Sequence, residues 1–240
     1  KAGLVPYTGK ATDGQRRRYL QCLGTIGHLA QWTRPDISAA HSLAARYCQN
    51  PGPDHFQALG QILGYLLYTK DYELKIGGGT STVTVHTDSD WAGDDNDRKS
   101  QSGFATRIGD SLVSWKSGKQ KTVARSTMEA EYIAVADGLA DAIHVAQIAR
   151  DLGLSPPEIE IYCDNQAAIA TAKNPTQQSR AKHIDTSYHF IRDWVESGKA
   201  KIEYVKSKEN MADVMTKGLP RPGHSWCTGS MNVGPWGSIE

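Results

Sequence analysis

The spacing of apolar residues changes its period once, at Gly77-Gly78-Gly79, and that change divides the chain into two kinds of structure. Before the glycines, apolar positions recur every three to four residues. From about Arg16 to Trp32, the residues Tyr19, Leu20, Leu23, Ile26 and Ala30 share one side of a helix. Thr33-Arg34-Pro35-Asp36 breaks that pattern, and Pro35 suits the first turn of a second helix running to about Cys48. Asn50-Pro51-Gly52-Pro53 is a turn. A third helix follows from about Asp54 to Thr69, with Leu59, Ile62, Leu63 and Leu66 apolar. With an irregular lead-in over 1–14, residues 1–76 are expected to form a small helical unit.

After the glycines the period is two. Val83 and Val85 alternate with Thr84 and His86 and lead to Asp88, which reads as the last residue of its strand. Residues 101–108 and 111–116 are two more strands joined by Gly109-Asp110, which completes a meander. A helix from about Ser126 to Asp151 comes next, then a strand over Glu158–Asp164, a helix over Gln166–Lys173 and another from about Ile184 to Glu196. Residues 200–206 alternate as a strand, and Asn210–Leu219 forms a last short helix. Residues 220–240, with Pro220, Pro222 and Pro235, are expected to be an irregular tail. Three antiparallel strands feeding two parallel ones through helical crossovers predict an α/β fold: a mixed five-stranded sheet flanked by helices, over residues 77–219.

Composition removes several classes of function. The net charge of +1 gives no bulk attraction to nucleic acid, so phosphate binding must come from local clusters or bound metal. Arg16-Arg17-Arg18 and the set Lys116, Lys119, Lys121 and Arg125 are such clusters. The four cysteines include no C-x-x-C pair, which disfavours structural zinc and a disulfide framework and fits a reducing compartment. No apolar run reaches the length of a membrane span, so no membrane partner is expected. Lys1 is not an initiator and the first methionine is Met128, so the chain reads as a piece of a longer polypeptide.

Four acids stand out in order: Asp88, Glu131, Asp164 and Asp213. Asp88 and Asp164 close strands expected to be parallel neighbours, and sites in such sheets collect at the carboxyl edge. Asp88 lies on the face opposite Val83 and Val85, and Asp164 on the face opposite Ile159 and Ile161. Ser126 and Glu129 fit a capping box, which leaves Glu131 as the free acid of its helix, although periodicity alone does not choose between the two. Asp213 sits in the first turn of the last helix, where the helix dipole alone would favour an acid. Four carboxylates from four elements can hold two divalent ions about 3.5–4 Å apart, an arrangement that cleaves phosphodiesters.

The blocks TDSDWAGDDNDRKSQSGF (87–104), SWKSGKQKTVARSTMEAEYIAV (114–135), IYCDNQAAI (161–169), KHIDTSYHFIRD (182–193) and ENMADVMTKGLP (209–220) resemble the ribonuclease H domain of copia (Ty1-type) LTR retrotransposons. Residues 32–59 and 63–69 resemble the stretch that joins reverse transcriptase to ribonuclease H in the same polyproteins. The resemblance implies that Asp88, Glu131, Asp164 and Asp213 are the catalytic, metal-binding acids, with Asp90 as the nearby alternative to Asp88. It implies two Mg²⁺ ions, with Mn²⁺ as a substitute, and as substrate the RNA strand of an RNA–DNA hybrid. Ser89, Asn165 and Gln166 are then candidates to read the 2′-hydroxyl. His183, between the third and fourth acids, is the candidate histidine that helps product leave, whereas His189 inside its helix is expected to be a packed or surface residue. A reverse transcriptase domain of the same polyprotein is the implied partner. The implied location is a cytoplasmic retrotransposon particle, with the nucleus as a second site. Two other readings compete. One is a catalytically silent, domesticated or relic module that binds nucleic acid or protein. The other is a different metal nuclease, or a transposase-like enzyme, on the same fold. The transposase type carries its acid late in the chain, which does not match Glu131.

Overall fold

The computed structural model describes residues 4–154, 159–173 and 182–237; the side chains of 182–186 fall outside that description. Its first elements are helices α1 (Asp13–Trp32), α2 (Ser38–Ala45) and α3 (Pro53–Tyr68), with a 3-10 turn at Pro35–Ile37 before α2. Thr12 starts α1: its hydroxyl accepts from the Gln15 backbone N–H, and the Gln15 side chain accepts from the Thr12 N–H. The inward faces of the three helices and the 3-10 turn bury Tyr19, Leu23, Ile26, Ile37, Ala44, Leu59 and Ile62 in one cluster.

The main sheet contains β2 (Val83–Asp90), β3 (Gln101–Ile108), β4 (Ser111–Lys119), β5 (Ile159–Cys163) and β6 (Ala200–Tyr204), and a short β1 (Tyr72–Leu74) precedes it. The spatial order is β4-β3-β2-β5-β6. The first three strands pair antiparallel, and β2 pairs parallel with β5, and β5 with β6. This is the expected mixed sheet. Helices α4 (Thr127–Asp151), α5 (Gln166–Lys173) and α6 (Lys182–Glu196) cover one face. There Val83, Val85, Ile159, Ile161 and Ile202 pack against Tyr132, Val135, Leu139 and Ile191. Gly138 lets α4 approach closely, since a Cβ there would lie 2.6 Å from Thr87 Cγ2. The other face receives the short α7 (Asp213–Thr216), whose Met215 lies over Gly103 so tightly that a Cβ on Gly103 would be 2.3 Å from that of Met215.

The boundaries differ from the sequence reading in ways that matter for the site. Strand β2 runs two residues past Asp88. Its parallel pairing with β5 stops at His86↔Tyr162, while its antiparallel pairing with β3 continues to Asp90↔Gln101. Asp88 therefore projects beyond the β5 junction without ending its strand. The last helix shrinks to one turn.

Over 221–235 the expected irregular tail is ordered. Helix α8 (Arg221–Ser230) and strand β7 (Val233–Pro235) follow α7, and β7 pairs antiparallel with β1. Pro222 sits in the first turn of α8, where its missing N–H has no intrahelical partner to lose. Cys227, Met231 and Val233 bury against Met211, Val214 and Met215.

The helical unit is joined to the sheet by polar contacts. Arg46 lies 2.9 Å from Asp94, and Gln101 Nε2 donates to Ser42 Oγ at 3.0 Å. Trp115 is half-buried, and its indole N–H donates to the Ala30 carbonyl at 2.7 Å. Trp91 is half-exposed and donates to the Ala124 carbonyl. Arg34 grips Asp36 with two hydrogen bonds and also reaches Thr69 at the end of α3.

Candidate active site

Alternation along β2 assembles the site. Asp88 pairs with Gly103 and turns toward α7, while its neighbour Ser89 turns toward α4. Acids from both sides of the sheet can therefore meet at one edge. Asp88 is 2% exposed, and its Oδ2 accepts from the Thr216 hydroxyl. Glu131, in the first turns of α4, is also buried. One of its oxygens accepts from the Ser89 backbone N–H at 3.1 Å and from the Ser89 hydroxyl at 2.9 Å. The other faces the Cys163 sulfur at 3.9 Å. Asp164 stands just past the end of β5 and accepts from the Ser207 hydroxyl at 2.6 Å. Asp213 opens α7. Glu129 meets half of the capping reading: its N–H donates to Ser126 Oγ, but its carboxylate accepts from the Arg125 N–H instead of the Ser126 N–H, so the box is not closed.

The four acids converge in two overlapping groups. Oxygens of Asp88, Asp164 and Asp213 lie within 4.8 Å of one another, and so do donor atoms of Glu131, Cys163 and Asp164. So much negative charge in little water raises the cost of ionisation. Burial, then the neighbouring Asp213 and Asp164, push Asp88 up to about 7 despite the opposing pull of Lys217. Burial, then Asp88 and Asp164, push Glu131 up to about 9. Burial also raises Asp213. An all-carboxylate set strained in this way fits a hard divalent cation, which would stabilise the ionised forms that the fold alone disfavours.

Lys217, which the sequence reading did not single out, is part of the constellation. Its ammonium lies 2.9 Å from Asp213 and 3.7 Å from Asp88. Burial alone would lower its pKa, but the two carboxylates outweigh that and hold it above the usual lysine range. Its spacing, four residues after Asp213 in a short helix, was the available signal. Thr216 and Ser207 left no comparable trace, because their partners are distant in sequence.

The proposed substrate contacts fare unevenly. Ser89 is buried and its hydroxyl is spent on Glu131, so it orients that acid and is not free to meet a ligand. Asn165 Oδ1 accepts from the Ala168 N–H and caps α5. Gln166 is exposed at the start of that helix. His183 falls in the first turn of α6, and its side chain lies outside the described residues. Asp90, at the end of β2, belongs to neither acidic group.

In the basic set, Lys119 is paired with Asp94 and Asp97, and Lys116 with Asp137, while Lys121 and Arg125 are exposed. A cleft of about 280 Å³ adjoins the acids on the side of the helical unit, lined by Arg46, Tyr47, Asp90, Asp94, Thr216 and Lys217 among others.

No protein-family model matches the chain. It is 38% identical over 209 residues to the Retrovirus-related Pol polyprotein from transposon TNT 1-94 of Nicotiana tabacum, covering 87% of this chain and 16% of that protein. It is 39% identical over 222 residues to the Retrovirus-related Pol polyprotein from transposon RE1 of Arabidopsis thaliana, covering 91% and 15%. The chain belongs to the Pol polyproteins of copia-type transposons. It spans about a sixth of the length of these Pol relatives. Among solved structures, ribonuclease H1 from the archaeon Halobacterium salinarum aligns with a TM-score of 0.41 at 18% identity, over 56% of this chain and 94% of that one. The sheet has the expected arrangement, three antiparallel strands followed by two parallel ones, with a helical unit before it. No helix among the described residues is long and apolar enough to cross a membrane.

Proposed function

We propose that this Pol segment is a metal-dependent endonuclease that hydrolyses the RNA strand of RNA–DNA hybrids during reverse transcription. The observation that carries this reading is the convergence of Asp88, Glu131, Asp164 and Asp213, from four separate elements, on one edge of the sheet. Asp88, Asp164 and Asp213 supply the oxygen ligands for a divalent cation, and Glu131 completes the set from α4. Divalent ions held there, Mg²⁺ or Mn²⁺, would activate a water for in-line attack and neutralise the leaving 3′ oxygen.

The chain's own residues prepare that event. Ser89 fixes the Glu131 carboxylate with two hydrogen bonds. Thr216 holds Asp88 from the opposite side of β2. Lys217 keeps a positive charge beside the acids, where the scissile phosphate must approach. Asn165 and Gln166, at the rim beside Asp164, are the candidates to meet the 2′-hydroxyl, and His183 is the candidate to ease product release.

In this reading residues 1–76 form the connection after a reverse transcriptase of the same polyprotein, 77–219 form the nuclease, and 220–240 close the unit. The place of action is the retrotransposon particle in the cytoplasm, with the nucleus as a second site. The reading is tested by offering the chain an RNA–DNA hybrid, duplex RNA and duplex DNA of one sequence with Mg²⁺. Cutting of the hybrid alone supports it. Equal cutting of all three points to an unspecific metal nuclease. Binding without cutting points to the catalytically silent module.

A further inference from the structure

The acidic edge contains one donor that a hard-metal site has no use for. Cys163 ends β5 immediately before Asp164, and its side chain is buried on the α4 side of the sheet. The backbone N–H of Asn165 donates to its sulfur at 3.4 Å, which fixes the sulfur from behind. In front, the sulfur faces Glu131 Oε2 at 3.9 Å. The opposite oxygen of Glu131 is tied to Ser89, so the carboxylate is held with Oε2 turned to the sulfur. An Asp164 oxygen completes the group, with all three donor atoms within 4.8 Å of one another. Neighbouring ligands of a tetrahedral zinc ion, at about 2.0–2.3 Å from the metal, lie roughly 3.3–3.8 Å apart. Closing the group around an ion therefore needs movements of about 1 Å.

We propose that Glu131, Cys163 and Asp164 form a mixed oxygen–sulfur site that captures a thiophilic divalent cation, Zn²⁺ or Cd²⁺, in competition with the hard ions the acids otherwise hold. A thiolate and two carboxylates suit zinc-like ions, whereas Mg²⁺ gains little from sulfur. On binding, the thiol proton passes to solvent and the sulfur becomes a ligand. Because Asp164 belongs to both acidic groups, a soft ion placed there takes a carboxylate from the hard-metal site. The consequence is a nuclease edge that zinc-like ions block. The proposal rests on the reading of the acids as a metal centre.

The test uses the whole chain, stripped of metal and titrated with Cd²⁺, with the ultraviolet thiolate-to-cadmium charge-transfer band as readout. Cys22, Cys48 and Cys227 are also free thiols, so the signal that counts is the difference from Cys163→Ser. Expected is a band of about one equivalent that Cys163→Ser abolishes, with excess Mg²⁺ moving the Cd²⁺ midpoint upward. Glu131→Gln keeps the sulfur and is expected to weaken Cd²⁺ by about ten-fold or more. Circular dichroism of both variants guards against misfolding, and Glu131→Gln carries the test if Cys163→Ser does not fold. An unchanged band in Cys163→Ser, or an unchanged affinity in Glu131→Gln, overturns the proposal. The band does not depend on hydrolysis, so the two readings fail separately. A Cys163-dependent band without Mg²⁺-dependent cleavage upholds the soft site and sinks the nuclease. Cleavage without the band does the reverse.

Discussion

The Lys217 ammonium lies 2.9 Å from the Asp213 carboxylate, one helical turn away, and from there it also reaches Asp88 on the central strand. The lysine thus stands between two acids that a cation would bridge, and serves as their counter-ion when none is bound. Lys217→Met should lower the stability of the metal-free chain by about 1–3 kcal/mol. That is less than the loss for a fully buried pair, because Lys217 keeps contact with solvent and the raised acids can take up protons. The same change removes a positive charge beside the metal ligands, so Mg²⁺ should raise Tm more in the variant than in the parent. Thermal melts of both proteins with EDTA and with Mg²⁺ decide this; an equal Mg²⁺ shift would remove Lys217 from the cation's place.

The pH dependence of stability follows from Asp88 and Glu131. Their pKa values lie near 4 in an unfolded chain and rise to about 7 and about 9 in the fold. Between those limits the native state binds more protons than the unfolded state. Stability of the metal-free chain should therefore fall as pH rises from about 5 to about 9. Saturating Mg²⁺ keeps the carboxylates ionised and should flatten the slope. Melting curves across that range, with and without Mg²⁺, check the sign. A metal-free Tm that climbs with pH would contradict it.

Ser89 gives Glu131 a hydroxyl hydrogen bond in addition to its backbone N–H. Ser89→Ala removes only the hydroxyl, so Glu131 should stay in place but lose its orientation. A hydrogen bond to a charged group is worth about 1.5–3 kcal/mol, and the remaining N–H offsets part of that. Hybrid cleavage should fall about ten-fold in kcat with little change in KM. A change confined to KM would instead mean that Ser89 meets substrate directly.

Arg46 on the helical unit and Asp94 after β2 form a buried pair that Lys119 joins from β4. Burial opposes the ionised Asp94, yet hydrogen bonds from Lys119 and Asn96 and the nearby Arg46 outweigh it and hold the acid down at about 2. Asp94→Ala leaves two cations without their shared partner and should cost about 3 kcal/mol, more than Arg46→Ala, which leaves Asp94 paired with Lys119. Urea denaturation of the two variants measures the order, and an Arg46→Ala loss equal to or larger than that of Asp94→Ala would contradict it.

The sheet was readable because its strands alternate cleanly and its breaks carry glycine and proline. Asp88 and Asp164 could be placed at one edge because each lies on the face opposite Val83, Val85, Ile159 and Ile161, which are in the core. What escaped depends on distant partners. Nothing near Ser89 in sequence says that its hydroxyl serves an acid 42 residues later, and Thr216 meets Asp88 across 128 residues. Local composition was misleading at α8, where Pro222, Gly223 and Gly229 argue against a helix. The buried Cys227 and Thr228 pull that segment onto the molecule nonetheless. The extent of β2 was also hidden, since pairing with β3 carries the strand past the point where β5 leaves it.

The most direct measurement is incubation of the chain with an end-labelled RNA–DNA hybrid and Mg²⁺, beside Asp164→Asn and Asp88→Asn. Expected are fragments from the RNA strand alone, none with EDTA, and a loss of at least about 100-fold in both variants. An intact hybrid with the parent chain, or cleavage that survives both substitutions, would contradict the claim that these acids form the centre of a ribonuclease.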